Sequence, residues 1–241
     1  MTTLALTDCL IFAGAYDLRS QTNELSVSQM VEELDKTTFG SAGVKERTGG
    51  LRDVEGSIKG FADPLVSDDL FAQVGGSDLI VSIAPYSAAG SAIYATKGSL
   101  VGAFTNTEEV GALRAFEAKL TGRNPRGLVR GSILRAHSAA TASAVTTAFL
   151  IGTASSAQTV CSWVHLTAIS GATATLTVTI QRDDNSGMTT PTTLHAHSAQ
   201  TAIGTSWQET AGAITDTYYR VSFTLTGTTP SATFLVGLGI A

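Results

Sequence analysis

Apolar and polar residues alternate along much of this chain, most clearly in its second half. Ala174, Leu176, Val178 and Ile180 alternate with Thr175, Thr177, Thr179 and Gln181. The same period of two returns with Tyr219, Val221, Phe223 and Leu225, and again with Ala232, Phe234, Val236, Leu238 and Ile240. Successive side chains of a strand point to opposite faces, so each row predicts a strand with one face turned inward. Turn residues such as Asp183-Asp184-Asn185 and Gly227-Thr228 separate these strands. Together they predict an antiparallel sandwich or jelly roll.

The first half is less regular. Residues 6–12 and 25–31 read as strands, the second alternating Leu25, Val27 and Val31 against Ser26 and Ser28, which predicts one buried and one polar face. Arg52 to Phe61 alternates again, with Val54, Gly56, Ile58 and Gly60 on one side and Asp53, Glu55, Ser57 and Lys59 on the other. Its glycines predict a bend or the close approach of another backbone. Between these strands lies a polar, glycine-punctuated excursion, from about Lys36 to Arg52, too long for a tight hairpin. Long loops without structure of their own are usually functional or disordered. Here Thr37, Thr38, Phe39, Val44 and Leu51 stand among Lys45, Glu46, Arg47 and Arg52, a mixture suited to docking on a partner. A flexible connector is the plainer reading.

Asp63-Pro64 opens a predicted short helix that stops at Gly75-Gly76. Val66, Leu70 and Val74 stack along it at i, i+4 and i+8, a stripe expected to pack on a sheet. Strands are expected over 79–86 and 92–104. Thr107 to Leu120 fits either state, since Thr107-Glu108-Glu109 imitates a helix start while Ala112, Phe116, Ala118 and Leu120 also suit a strand face. Beyond Asn124-Pro125-Arg126-Gly127 the composition shifts to Thr, Ser and Ala, placing a soft domain boundary near Gly131 and dividing the chain into 1–130 and 131–241.

Composition narrows the class. Only 15% of the 241 residues are charged, below the usual quarter, and only three basic and four acidic residues follow Leu134. A formal net charge of −5 argues against a protein that grips nucleic-acid phosphates, which needs a basic patch. Cys9 and Cys161 are too few for a disulfide framework, so a reducing compartment is expected. The N-terminal residues carry no signal-peptide pattern, and no apolar run predicts a membrane helix.

Candidate chemistry is sparse. His195 and His197 share a strand face and would need a third ligand to hold a metal; surface or interface histidines are the plain reading, as for His137 and His165. Asp183 and Asp184 beside Asn185, Ser186 and Gly187 read as a turn before they read as a calcium site. No Gly-x-Ser-x-Gly elbow supports a serine hydrolase, and Lys97-Gly98-Ser99 lacks the order and spacing of a phosphate loop. Neither an enzyme activity nor a cofactor is expected.

Over nearly its whole length the chain resembles the tail tube, or major tail, proteins of long-tailed bacteriophages, especially those of actinobacterial phages. The resemblance is carried by Tyr16-Asp17-Leu18, by LSVSQMVEELDKTTFGS from Leu25 to Ser41, and by Gly49-Gly50-Leu51-Arg52-Asp53 leading to Gly60-Phe61. It continues through Arg130-Gly131 and Val164-His165-Leu166-Thr167-Ala168 to ITDTYYRVSFTLTG from Ile214 to Gly227 and the apolar terminal strand. It implies a mainly β protein: a tail-tube β-sandwich with one short flanking helix and a long loop over 1–130. The Thr-rich 131–241 would form a second antiparallel, jelly-roll-like sandwich on the tube exterior. It tips Thr107 to Leu120 toward strand and assigns the loop between about Lys36 and Arg52 to contact with an adjacent ring.

The implied partners are further copies of the chain in stacked homohexameric rings, a tape measure protein and DNA in the lumen, and tail terminator and baseplate proteins at the tube ends, with no membrane. The implied location is the virion tail, assembled in the bacterial host cytoplasm. Two other readings compete. One is a receptor- or carbohydrate-binding sandwich of a phage fibre or baseplate, using Trp163 or Trp207; the other, thinly supported, is a hydrolase built on scattered His and Asp residues.

Overall fold

The computed structural model describes residues 8–38, 40–41, 44–62, 70–76, 79–122 and 125–241. It is almost entirely β, with two antiparallel sheets. No helix among the described residues is long and apolar enough to cross a membrane. The chain forms two compact units: residues 1–20, 80–95 and 129–241 make one, and 21–79 with 96–128 make the other. The compositional boundary near Gly131 lies beside the crossing at 128/129. However, residues 8–20 and 80–95, expected within a 1–130 domain, fold with 129–241. Composition could not register this interleaving, because strand pairing decides it: Ala92–Ala95 pair with Ser132–Val129.

The unit containing residues 21–79 is a four-stranded antiparallel sheet in the order β3 (Thr22–Asp35), β4 (Arg47–Phe61), β7 (Ala115–Thr121) and the distal part of β6 (Ala92–Thr107). Val54, Ile58, Phe116, Ala118 and Leu120 are buried on one face, as the alternation along β4 predicts. Phe104 stacks on Phe116, and Phe71 meets Phe104 edge-on. Gly60 answers the expectation of close approach: a Cβ there would lie 1.9 Å from the Gln21 carbonyl oxygen. Thr107 to Leu120 resolves into the end of β6, a turn and strand β7; Ala112 falls in the turn rather than on the strand face.

The other unit is built around β11 (Thr159–Asp183) and β14 (Tyr218–Ile240), paired from Val160↔Ile240 to Asp183↔Tyr218. Strands β12 (Thr192–Ala196) and β13 (Gly204–Ala211) flank β11. Strand β8 (Val129–Ala140), with the short β9 (Ala144–Val145) and β10 (Phe149–Leu150), flanks β14. The sheet continues through the start of β6 to β5 (Leu79–Ala84), β1 (Leu10–Ala13) and β2 (Tyr16–Asp17). Thr159 to Leu166 are buried without interruption, because both faces of β11 are covered there. Even-numbered Val160, Val164 and Leu166 join one core cluster with Phe234, Val236 and Leu238. Odd-numbered Cys161 and Trp163 join another with Leu10, Phe12 and Leu235.

Gly227-Thr228, expected as a turn, instead lies inside β14. Pairing persists there because both strands distort together. Gly171 and Gly227 have φ of +109° and +121°, the register slips around Ala172, and a Cβ at either glycine would press within 2.9 Å of opposing backbone.

Candidate assembly surface

Strand β4 pairs with β7 only through Glu55–Phe61, whereas β3 and β4 remain paired out to Asp35↔Arg47. Residues 30–35 and 47–53 therefore continue past the sheet as a two-stranded arm, about 23 Å long at ~3.3 Å per residue. An isolated two-stranded ribbon is marginal in water. This arm is shorter in loop and longer in strand than expected, since Arg47, Leu51 and Arg52 lie in β4.

The connection at its tip is held locally. Lys36 N–H donates to the Glu46 carbonyl (3.0 Å), Glu46 N–H to Thr37 Oγ1 (3.0 Å), and Thr38 N–H to Ser41 Oγ (3.0 Å). Val44 N–H donates to the Ser41 carbonyl at 2.9 Å. Thr37 also bonds Asp35 through its N–H, which, with its hydroxyl, lowers the pKa of that carboxyl. Arg47 pairs with Glu33, and Lys36 with Glu46 at 3.7 Å, all exposed. Lys45 and Arg52 are exposed and, among the described residues, form no ion pair.

Of the residues expected at an assembly contact, Thr37, Thr38, Val44, Lys45, Glu46 and Arg47 gather at this tip, and Leu51 and Arg52 stand along the arm; Phe39 lies outside the described residues. Leu51 is 79% exposed and Val44 66%. The alternation of Leu25, Val27 and Val31 predicted a buried face, but Val31 is exposed, as are Met30 and Leu34 beside it. Sequence reasoning missed these three as surface residues because periodicity marks a sticky face without saying what covers it. Of the expected helical stripe, Leu70 is buried and Leu70–Ala72 are helical, Val74 is 41% exposed, and Val66 lies outside the described residues.

The sheet bearing the arm has a second, polar face. Register places Glu24, Ser26 and Ser28 of β3 beside Asp53, Glu55, Ser57 and Lys59 of β4 and Glu117, Lys119 and Thr121 of β7. Ser26, Ser28, Glu55, Ser57, Lys119 and Thr121 line a shallow groove there. Lys59 meets Glu24 at 2.8 Å, which raises the lysine pKa. The charges on this face are four carboxylates against two lysines. Strand β3 is an edge of this sheet, whereas β6 also pairs with β8 and β5.

The side chains singled out in the second half lie inside it. Contrary to the surface reading, His165, His195 and His197 are buried. Ser162 Oγ sits between His195 Nδ1 (2.6 Å) and His197 Nε2 (3.0 Å), while Thr210 and Ser206 hydroxyls bond the far nitrogens of the two rings. Each neutral ring has one donor and one acceptor nitrogen, so hydroxyls and rings complete one another without a proton added. His165 bonds Ser82 (2.7 Å) and the Gly14 carbonyl (2.7 Å). Burial pushes the pKa of all three down to about 4. Among the described residues no group of three His, Cys, Asp or Glu side chains is placed to hold a metal. Asp183 accepts N–H bonds from Asn185 (3.0 Å) and Thr190 (2.8 Å), the geometry of a turn, and they lower its pKa. Trp163 is fully buried and stacks on the nearly buried Trp207 at 5.3 Å, so neither indole face is open to a sugar. Cys9 and Cys161 form no disulfide.

No family model matches the chain, and no curated protein sequence does. Among solved structures it is similar to a chain in the virion of a native gene transfer agent particle (16% identity, TM-score 0.41, 52% of this chain and 97% of that one). It is likewise similar to a chain in the tail of an empty gene transfer agent particle with C6 symmetry (15%, 0.41, 52% and 97%). Over 97% of its length, and 99% of the other's, it is similar to the Dit protein of SPP1, described as a paradigm of the hub adsorption apparatus in phages infecting Gram-positive hosts (12%, 0.38). Likenesses this loose carry no functional argument. Fold and site together define a mainly β, two-unit protein with an uncovered sheet edge, β3, and an exposed apolar arm.

Proposed function

We propose that the chain is a structural subunit of a bacteriophage tail tube, with no catalytic role: six copies close into a ring, and rings stack into a hollow tube through which DNA is ejected. The observation that carries this reading is the four-stranded sheet whose β3 edge has no covering strand among the described residues and whose arm projects beyond it. Unpaired edges template further strands, and joining the β3 edge of one copy to a different surface of the next is a heterologous contact that closes when the rotation between copies divides a circle. The sequence resemblance to tail tube proteins supports the same arrangement. The polar face bearing Glu24, Asp53, Glu55 and Glu117 against Lys59 and Lys119 would line the bore. Its excess negative charge repels phosphate, whereas a basic bore would grip DNA through counterion release.

On this reading the partners are further copies of the chain, a tape measure protein and DNA in the lumen, and terminator and baseplate proteins at the ends. The location is the virion tail. No observation favours glycan binding, since both tryptophans are covered. The test is negative-stain microscopy of the purified protein at high concentration. Hollow tubes or six-fold rings are expected; a protein that stays monomeric under all conditions overturns the reading.

A further inference from the structure

The arm accounts for one end of the sheet, and the other end carries a second uncovered apolar group. Register fixes the geometry: Phe61 pairs with Ala115 and Thr107 with Ala115, so the β6–β7 turn, residues 108–114, lies at the end of the sheet opposite the arm tip. The turn is held by Ala112 N–H to the Glu109 carbonyl (3.0 Å), by Glu108–Arg114 (2.8 Å), and by Ala62 N–H to the Arg114 carbonyl (2.9 Å). On this ordered support Val110 is fully exposed, Leu113 is 72% exposed, and Phe61 beside it is half exposed. A turn needs no apolar side chains for its own geometry; exposed apolar groups clustered on a braced backbone mark a contact.

We infer that this turn is the seat for the arm tip of a second copy: Val44 of one chain packs on Val110, Leu113 and Phe61 of the next, with Lys45 facing Glu109. The inference rests on the tube reading, in which a stack of identical rings brings the arm end of one sheet to the turn end of another. Charge selects this occupant. Lys45 at the tip and Glu109 at the turn are each exposed and, among the described residues, without an ion-pair partner, whereas Glu108 is already paired with Arg114. The two ends are thus complementary in sign as well as both apolar, and two arm tips, or two turns, would not be.

The test places Val44→Cys and Val110→Cys in one chain that also carries Cys9→Ser, assembles it, and oxidises it. A ladder of covalent multimers is expected, absent from either single-cysteine chain. Normal tubes without a ladder overturn the seat while leaving the tube reading intact. Failure of the unaltered chain to form tubes or rings overturns both. If the cysteine pair itself blocks assembly, charge reversal decides. Glu109→Lys should shorten tubes, and adding Lys45→Glu should restore their length; any other pattern overturns the seat.

Discussion

The β11–β14 pair and the β3–β4 pair are both long antiparallel ladders, yet they are covered in opposite ways. β11 and β14 are flanked on their outer edges by β12, β13, β8, β9 and β10, and their inward rows fill a core with Tyr219, Val221, Phe223 and Phe234. The β3–β4 arm has the same backbone geometry, but past Val54 no further strand pairs with it among the described residues. Arg135 shows how far the first environment goes: its guanidinium lies 3.7 Å from the Phe234 ring centroid and donates to backbone carbonyls of Ala136, Ser138 and Phe234. Desolvation brings its pKa down to about 10. In the arm, by contrast, the charges face water and are screened. The lesson is that an apolar row states a need for cover, and only the tertiary fold tells whether the chain supplies it or another copy must.

The largest expected break in this comparison is removal of residues 40–50. The monomer should stay folded by circular dichroism while polymerisation is lost; normal tubes would show that the arm tip makes no essential contact. Next, Phe234→Ala should destabilise the unit containing β14 by about 3–5 kcal/mol in denaturant titration. Leu51→Ala should change monomer stability by no more than about 0.5 kcal/mol, yet weaken assembly. Equal effects on the monomer would erase the distinction between the two ladders.

A smaller effect concerns acid. The pKa values of His165, His195 and His197 are depressed in the folded state to about 4, so the unfolded chain takes up their protons first. Their contribution is complete above an unfolded pKa of about 6.5 and is lost as pH falls toward 4, at about 1.4 kcal/mol per pH unit for each proton. Arg182 opposes charging of His195 and Glu209 favours it, without reversing the direction. Unfolding midpoints should therefore drop steeply over this window, and His197→Gln should flatten the slope; a flat wild-type profile would show that these rings are not buried neutral. Smallest of all, Lys45→Glu with Arg47→Glu should weaken assembly in a salt-dependent way, because exposed charges are screened. Light scattering across salt concentrations would detect it, and identical curves would make these residues merely solvating.

Much of the fold could be read from side-chain period. The rows at 174–180, 219–225 and 232–240 are strands with the expected faces inward, except that the last two belong to one strand. Gly227-Thr228 misled because glycine marks a paired bulge as readily as a turn. His195 and His197 misled because burial of a histidine depends on hydroxyls that other segments bring, here Ser162, Ser206 and Thr210. The arm residues from Thr37 to Arg52 were legible as an outward-reaching group, but Met30, Val31 and Leu34 were not, since a strand face looks the same whether the same chain or another covers it. The turn at Val110 and Leu113 was hidden behind the helix-or-strand ambiguity of Thr107 to Leu120.

The pairing of β11 with β14 also sets an order of events during synthesis. Val160 must wait for Ile240 and Cys161 for Gly239, so the core that includes β1, β5 and the start of β6 cannot close until β14 has left the ribosome. Strands that pair across so much intervening chain form slowly. Residues 21–79 and 96–128 carry their own ladder and are made well before that moment, so an apolar arm is exposed while the sandwich is still unfinished. The nascent chain is therefore most vulnerable to premature association in the interval between making β7 and making β14.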